Sequence, residues 1–336
     1  MGGIQASTHA VTHGFLRLGN PRPILQAALQ AAVADERGVL ALVLETEGST
    51  YCSAGAMAFF GEATQVGWLS GGCLEPELAL RAKEADADGR IVWMEIDTRA
   101  DEDLLSGSAL GCRGRLRIAM IPLRGIQGCE AVFDAWLAGG SACERVVHAD
   151  GGIVMATDGV DMHWQLPGPG PDWTGAASRW SPPLPRPPEV MVLGAGPESP
   201  VLLRLLREMG WRTTLVERRM RWRMRASDVD AQHDVTPAAA LMRGPFADVV
   251  LVMHHNFELD REALDALSTT SIRFVGLLGP RQRRDDLFKL LSPLQRDSLL
   301  PRLHAPVGLD LGGSGPEAIA LSIAAQLQSW RTDRGI

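Results

Sequence analysis

Seven residues, Val190 to Gly196 (Val-Met-Val-Leu-Gly-Ala-Gly), restrict the folds open to this chain more than any other segment. A short aliphatic, β-branched run ending in Gly-x-Gly reads as the first strand and tight turn of a nucleotide-binding βαβ unit. Such a unit normally opens a domain, yet here it begins past the middle of a 336-residue chain. A chain of that length exceeds one ordinary core, so two domains are expected, the first lying ahead of the glycine turn.

After Val190–Leu193 the pattern alternates between strand and helix. Helices are predicted over Pro200–Met209, Asp260–Leu267, Gln282–Leu291 and Pro316–Trp330. Strands are predicted over Thr213–Val216, Ala247–Met253 and Ile272–Leu278. Alternation of this kind implies a Rossmann-like, doubly wound parallel sheet with right-handed crossovers. The first half reads as mixed α/β: helices over Pro23–Val33 and Glu75–Ala87, and strands over Gly38–Leu44, Ala56–Phe60, Gln65–Leu69, Ile91–Ile96 and Arg115–Ile121. A hairpin is predicted around Asp150-Gly151-Gly152. The resulting division is a tail at 1–20, a mixed α/β domain at 21–166, a linker at 167–188 and the Rossmann-like domain at 189–332. The linker rests on eight prolines among Gly and Ser, the composition of a stiff tether.

A net charge of −7 argues against nucleic-acid or anionic-membrane partners. There is no apolar run of bilayer length and no secretory-signal pattern at the N-terminus, so a cytoplasmic location is the expectation. The five cysteines are odd in number and form no Cys-x-x-Cys pair, which disfavours a disulfide framework or a structural zinc site.

Chemistry-bearing residues cluster at glycine-rich turns. Ser70-Gly71-Gly72-Cys73-Leu74-Glu75 stands just before a helix, where backbone N–H groups suit an anion and a thiol would meet the positive helix end. Gly107-Ser108-Ala109-Leu110-Gly111-Cys112-Arg113-Gly114 repeats the theme. The competing reading is two buried cysteines packed as small hydrophobes. Glu45-Thr46-Glu47-Gly48-Ser49-Thr50 follows a strand, as ligand-facing polar residues often do. In the second half, Gly194 and Gly196 could admit a pyrophosphate. Glu217 then stands at about the spacing of a ribose-binding carboxylate. Alternatively, these glycines only pack helix on strand. His254-His255-Asn256 offers an acid/base at a strand end.

These residues resemble the xanthine dehydrogenase accessory factor family (XdhC/CoxI), the molybdenum-cofactor chaperones. The likeness runs in order through Glu45–Thr50, Ser70–Glu75, Leu110–Gly114, Gly194–Gly196, Val275–Gly279 and Leu303–Asp310 into Glu317–Ala320. Many members carry His after the Gly-x-Gly turn, where this chain has Pro197, and Arg or Lys after the Gly-Ser-Thr loop, where it has Cys52-Ser53. The resemblance implies an accessory role rather than turnover: binding molybdenum cofactor (molybdopterin or its cytosine dinucleotide form), aiding its sulfuration with a cysteine desulfurase, and delivering it to a molybdenum hydroxylase of the xanthine dehydrogenase or aldehyde oxidase type. It points to Ser70, Gly71, Gly72, Cys73, Gly111, Cys112, Arg113 and Gly114 as cofactor-binding, with Gly194, Gly196 and Glu217 as a nucleotide-type site. A homodimer would help to shield the ligand. An NAD(P)-dependent oxidoreductase and a non-catalytic nucleotide-binding protein are the competing expectations.

Overall fold

The computed structural model describes residues 18–99, 113–139, 141–243 and 247–334. The chain divides between Arg186 and Pro187 into two compact units.

In the first unit, helix α1 (Pro21–Val33) starts where the Asn20 side chain accepts the Arg22 N–H at 3.1 Å, with proline in a first turn that tolerates it. Its stripe of Ile24, Leu25, Ala28 and Ala31 is buried. Strands β1 (Gly38–Gly48), β2 (Met57–Gly61), β3 (Gln65–Val66), β4 (Val92–Asp97) and β5 (Gly114–Pro122) form an antiparallel sheet in the order β3-β2-β1-β5-β4. Both faces of this sheet are covered, so β1 is apolar on alternate sides at once. Val39, Ala41 and Val43 pack with Leu78, Ala82 and Ala85 of α2 (Glu75–Asp88). Leu40, Leu42 and Leu44 pack with α1 and with α3 (Cys129–Leu137). A second antiparallel sheet, in the order β8-β7-β6-β9, adds Val147, Ile153 and Met155 to that core; its strands are β6 (Glu144–His148), β7 (Gly152–Thr157), β8 (Val160–Gln165) and β9 (Arg179–Trp180). Helix α3 and strands β8 and β9 carry no expectation from sequence pattern.

Most of the segment predicted as a linker, 167–186 of 167–188, is instead folded into the first unit, and Pro187 and Pro188 belong to the second. Strand β9 pairs with β6, and Leu184 bridges Cys143. Trp173, Trp180 and Leu184 are core residues. Trp173 and Trp180 pack with each other and with Trp93 at centroid separations of 6.2, 6.1 and 5.6 Å. Two buried guanidinium groups supply the physical reason. Arg145 is 2% exposed and donates to the carbonyls of Pro182 (3.2 Å), Gly55 (3.0 Å) and Pro183. Burial without a carboxylate pulls its pKa down to about 10, so it stays charged near neutrality. Arg117 on β5 lies in register with Glu45 on β1 and Glu95 on β4. It pairs with both carboxylates, donates to Thr174 O at 2.8 Å, and its guanidinium lies 5.2 Å from the Trp173 ring centroid. Proline-rich backbone is kept out of helix interiors and central ladders, so its carbonyls need other donors, which the two guanidinium groups supply here.

The second unit is a six-stranded, all-parallel sheet. Its strands are β10 (Glu189–Leu193), β11 (Arg212–Val216), β12 (Ala231–His233), β13 (Val249–Val252), β14 (Phe274–Leu277) and β15 (Leu303–His304). The order β12-β11-β10-β13-β14-β15 is the dinucleotide-fold order, with its switch point between β10 and β13. Helices α4 (Ser199–Glu208), α5 (Met220–Arg225), α6 (Pro237–Arg243), α7 (Phe257–Leu267), α8 (Arg281–Lys289), α9 (Pro293–Leu299) and α10 (Pro316–Arg334) complete the unit. α4 packs on α10, while Ala263, Leu264 and Leu267 of α7 join the core beside β13. The central strands are uniformly buried, as a parallel sheet covered on both faces requires. Among the described residues no helix is long and apolar enough to cross a membrane.

Replacing Arg145 by Met tests whether residues 182–183 belong to the folded unit. The variant leaves the buried Gly55 and Pro182 carbonyls, and that of the exposed Pro183, without their donor, at roughly 1–3 kcal/mol for each buried group left unsatisfied. A clear fall in the urea midpoint of tryptophan-monitored unfolding is expected. A free tether at this point would limit the change to about 0.5 kcal/mol.

Candidate functional site

The first unit brings the glycine motifs together at one end of its larger sheet. Gly48 at the end of β1 stands opposite Gly114 at the start of β5. A Cβ on Gly114 would lie 2.5 Å from Ser49 O, and one on Gly48 would lie 2.6 Å from Arg113 O. Glycine at both positions therefore lets two backbones run in contact, and Ser49 N–H donates to Arg113 O at 2.9 Å. Cys52 joins the third segment: its buried thiol donates to Leu69 O at 3.3 Å. Burial pushes that thiol up to about 12, which makes it a structural tie rather than a thiolate. Sequence pattern gave Cys52 no role; its position two residues after Gly48-Ser49-Thr50 was the one available signal.

Together these contacts frame a cleft walled by Ser49, Thr50 and Tyr51, by Ser70, Gly71, Cys73 and Leu74, and by Ile96, Thr98 and Gly114. Tyr51, the chain's sole tyrosine, is exposed. The volume of the cleft is about 40 Å³, close to that of a single water. Gly111 and Cys112, expected here, lie outside the described residues, and Arg113 contributes its carbonyl, which accepts from Ser49 N–H.

The loop before α2 is more self-contained than its sequence implies. Glu75, 6% exposed, turns back so that one carboxylate oxygen accepts from Leu69 N, Ser70 N and Ser70 Oγ at 3.3, 3.1 and 3.0 Å. The Ser70 hydroxyl in turn accepts from Gly72 N and Leu74 N at 3.0 and 3.2 Å. The anion expected at this helix start is thus largely supplied by the chain. What remains outward is a rim: Gly71 and Gly72, where an added Cβ would meet nothing within 4 Å, and the exposed thiol of Cys73.

In the second unit the glycine turn is closed by its own side chains. Gly194 adopts φ +87° with the His254 ring packed where a side chain would stand. Gly196 abuts Glu198 and His255. The N–H groups that a pyrophosphate would use are already bonded: Ala195 N to Glu217 Oε2 at 2.8 Å, and Gly196 N to Ser199 Oγ at 3.0 Å. Glu217, expected to face a ribose, is 1% exposed and turned inward instead. It accepts from Arg219 N (2.7 Å) and from Arg219 Nε and Nη2 (2.9 and 2.7 Å). Burial alone would raise its pKa, but Arg219 and the two N–H groups more than offset this and hold it below the usual carboxylate value. A buried carboxylate must be satisfied, and here its donors are Arg219 and the glycine turn's Ala195 N–H.

His254 and His255 also have separate partners. His254 Nδ1 meets the buried Asp260 at 3.1 Å, and Asp260 in turn binds Arg283. His255, in the left-handed region at φ +52°, holds Glu198 Oε1 at 2.9 Å through Nε2. That bond raises the imidazole's pKa above its ordinary value. Glu198 and Asp260 are invisible as a site from sequence, since nothing in their spacing announces the two pairs.

The chain matches two family models: residues 31–96 the XdhC and CoxI family, and residues 190–327 the XdhC Rossmann domain. It is similar to a protein of Bacillus subtilis (strain 168) named as a probable xanthine dehydrogenase subunit, with 26% identity over 331 residues, 92% of this chain and 97% of that one. A crystal structure described as a xanthine dehydrogenase from Bacillus halodurans superposes with a TM-score of 0.75 at 28% identity, covering 94% of this chain and 96% of that one. An uncharacterized Escherichia coli protein is 41% identical over 70 residues, 20% of this chain and 13% of that one.

Two outcomes follow from the geometry. In a Cys112→Ser background, native protein at pH 8 should react with one equivalent of a bulky thiol reagent, and a further Cys73→Ser change should abolish it; labelling of Cys52, Cys129 or Cys143 would contradict the burial of those three. For Glu217, a depressed folded-state pKa gives stability that is present above about pH 4.5 and lost as pH falls through the folded value. Glu217→Gln should therefore be less stable at pH 7, and its thermal midpoint should fall less steeply below pH 4.5 than that of the parent.

Proposed function

This chain belongs to the XdhC and CoxI family, and on that premise we propose that it is an accessory factor of a xanthine dehydrogenase or aldehyde oxidase-type molybdenum hydroxylase. It binds molybdenum cofactor, shields it, aids its sulfuration by a cysteine desulfurase and passes it to the hydroxylase. The observation that carries this reading is the convergence of the Glu45–Thr50, Ser70–Glu75 and Gly114 segments on one cleft with an exposed thiol at its rim.

The residues present fit such a ligand at that rim. The cofactor is a phosphorylated pterin dithiolene; when bound, it supplies the redox metal centre of the client. Gly71 and Gly72 leave open space where any side chain would stand, which admits a close approach of backbone to a phosphate. Cys73 stands beside that space as a sulfur-compatible contact. Tyr51, which also lines the cleft, offers an exposed ring of the kind on which a planar heterocycle stacks. The roles assigned to these side chains are to hold and to cover.

The competing readings, an NAD(P)-dependent oxidoreductase or a nucleotide-binding protein, draw no support from the turn at Gly194, whose N–H groups are bonded to Glu217 and Ser199.

Anaerobic titration with molybdopterin, its cytosine dinucleotide form and NAD(P)H tests the proposal. Micromolar or tighter binding of one molybdenum cofactor is expected, about −8 kcal/mol. Gly71→Asp, which sets a carboxylate in open space beside an anionic ligand, should weaken that binding at least tenfold without lowering the thermal midpoint. Tight NAD(P)H binding with no pterin binding would overturn the reading.

A further inference from the structure

Helix α5 of the second unit and the two residues before it are strongly basic within an acidic chain. Residues 218–225, Arg-Arg-Met-Arg-Trp-Arg-Met-Arg, hold five arginines in a protein of net charge −7. Three of the five are matched within the unit: Arg218 by Glu262, Arg219 by Glu217 and Arg223 by Asp234. Arg221 and Arg225 have no carboxylate partner among the described residues. Their guanidinium groups lie 5.2 and 5.6 Å from the centroid of the Trp222 ring between them. Met220 and Met224, four residues apart and so on one helix face, are 65% and 69% exposed. None of the six helix residues is buried, so packing within the unit does not account for two exposed thioethers, an indole and two unmatched cations in so short a stretch.

Arginine, methionine and tryptophan are the side chains enriched at protein interfaces, and methionine adapts its shape to a partner. Nucleic-acid affinity is built on phosphate contacts from Lys and Arg, and in a chain of net charge −7 two arginines unmatched by a carboxylate supply little of it. A membrane would call for a longer apolar face than two methionines on a six-residue helix. Charge complementarity favours a protein surface on which carboxylates ring a small apolar recess. We infer that α5 is the docking element for such a surface, with Met220 and Met224 entering the recess and Arg221 and Arg225 meeting the carboxylates; resting on the accessory reading above, the surface belongs to the molybdenum hydroxylase that receives the cofactor.

The test uses the full chain and the apo form of its cognate molybdenum hydroxylase. Binding is measured for the parent and for two double variants, Arg221→Glu with Arg225→Glu and Met220→Ser with Met224→Ser. Thermal midpoints and molybdenum cofactor affinity are measured alongside, and both should be unchanged. The expected result is at least a tenfold loss of hydroxylase affinity in each double variant. The parent interaction should weaken with salt, and the arginine variant should show a reduced association rate. Should the glutamate pair fail to fold, Arg221→Gln with Arg225→Gln removes the charge without reversing it. Variants that bind the hydroxylase as the parent does would overturn the docking assignment and leave the accessory reading standing. A parent that holds molybdenum cofactor but does not bind the hydroxylase would overturn the assignment together with the delivery part of that reading. Binding of the parent to anionic phosphatidylserine vesicles or single-stranded DNA, lost in the arginine variant and without hydroxylase binding, would overturn it in favour of those surfaces.

Discussion

A buried guanidinium needs acceptors, and much of the first unit is arranged to supply them. Arg145 sits fully enclosed with no carboxylate beside it, held by the carbonyls of Gly55, Pro182 and Pro183. Arg117 spans three strands, pairs with Glu45 and Glu95, and reaches Thr174 O. Removing one partner from a buried charge costs several kcal/mol. The chain from 173 to 185 is therefore tied to the sheet, and the loop around Gly55 is tied with it. Trp173 packs against the Arg117 guanidinium, and Trp180 Nε1 adds a bond to Glu45 at 3.2 Å. The cleft at the far end of β1 and β5 inherits its rigidity from the same strands.

Both units handle their glycine-rich turns in one way. A turn that exposes several N–H groups creates a local positive field, and here the chain answers it with its own carboxylate: Glu75 behind Ser70 in the first unit, Glu217 behind Ala195 in the second. The difference lies in what is left over. Around Gly71 and Gly72 the space stays open; around Gly194 and Gly196 it is filled by His254, His255 and Glu198. Two motifs that look alike on paper thus have different capacities for a ligand, decided by whether neighbouring side chains occupy the volume that glycine vacates.

The proline-rich stretch shows why composition can mislead. Nothing local distinguishes 167–188 from a tether, because its partners, Arg117 and Arg145, lie far away in sequence. The short elements without expectation have similar causes. Strand β9 is two residues long and exists only through pairing with β6. Helix α5 buries nothing, and its apolar residues, two methionines and a tryptophan, are interleaved with arginines. Helix α3, with Val132, Phe133 and Trp136 buried, did carry an apolar pattern, but one compressed into nine residues between glycines.

The sequence by itself determined the second unit's alternation of buried strands and helices, since a parallel sheet covered on both faces demands continuous apolar runs, as in Val190–Leu193 and Val249–Val252. It also determined the order of the glycine motifs and the placement of Pro76 in the first turn of α2, because these follow from local backbone sterics. Only the tertiary structure decided that Glu217 turns inward, that Cys52 is a buried tie, that Cys73 stands at an open rim, and that the proline segment is core. Those outcomes depend on which distant group satisfies each buried charge and which side chain fills each vacated volume, and neither is encoded within reach of a local pattern.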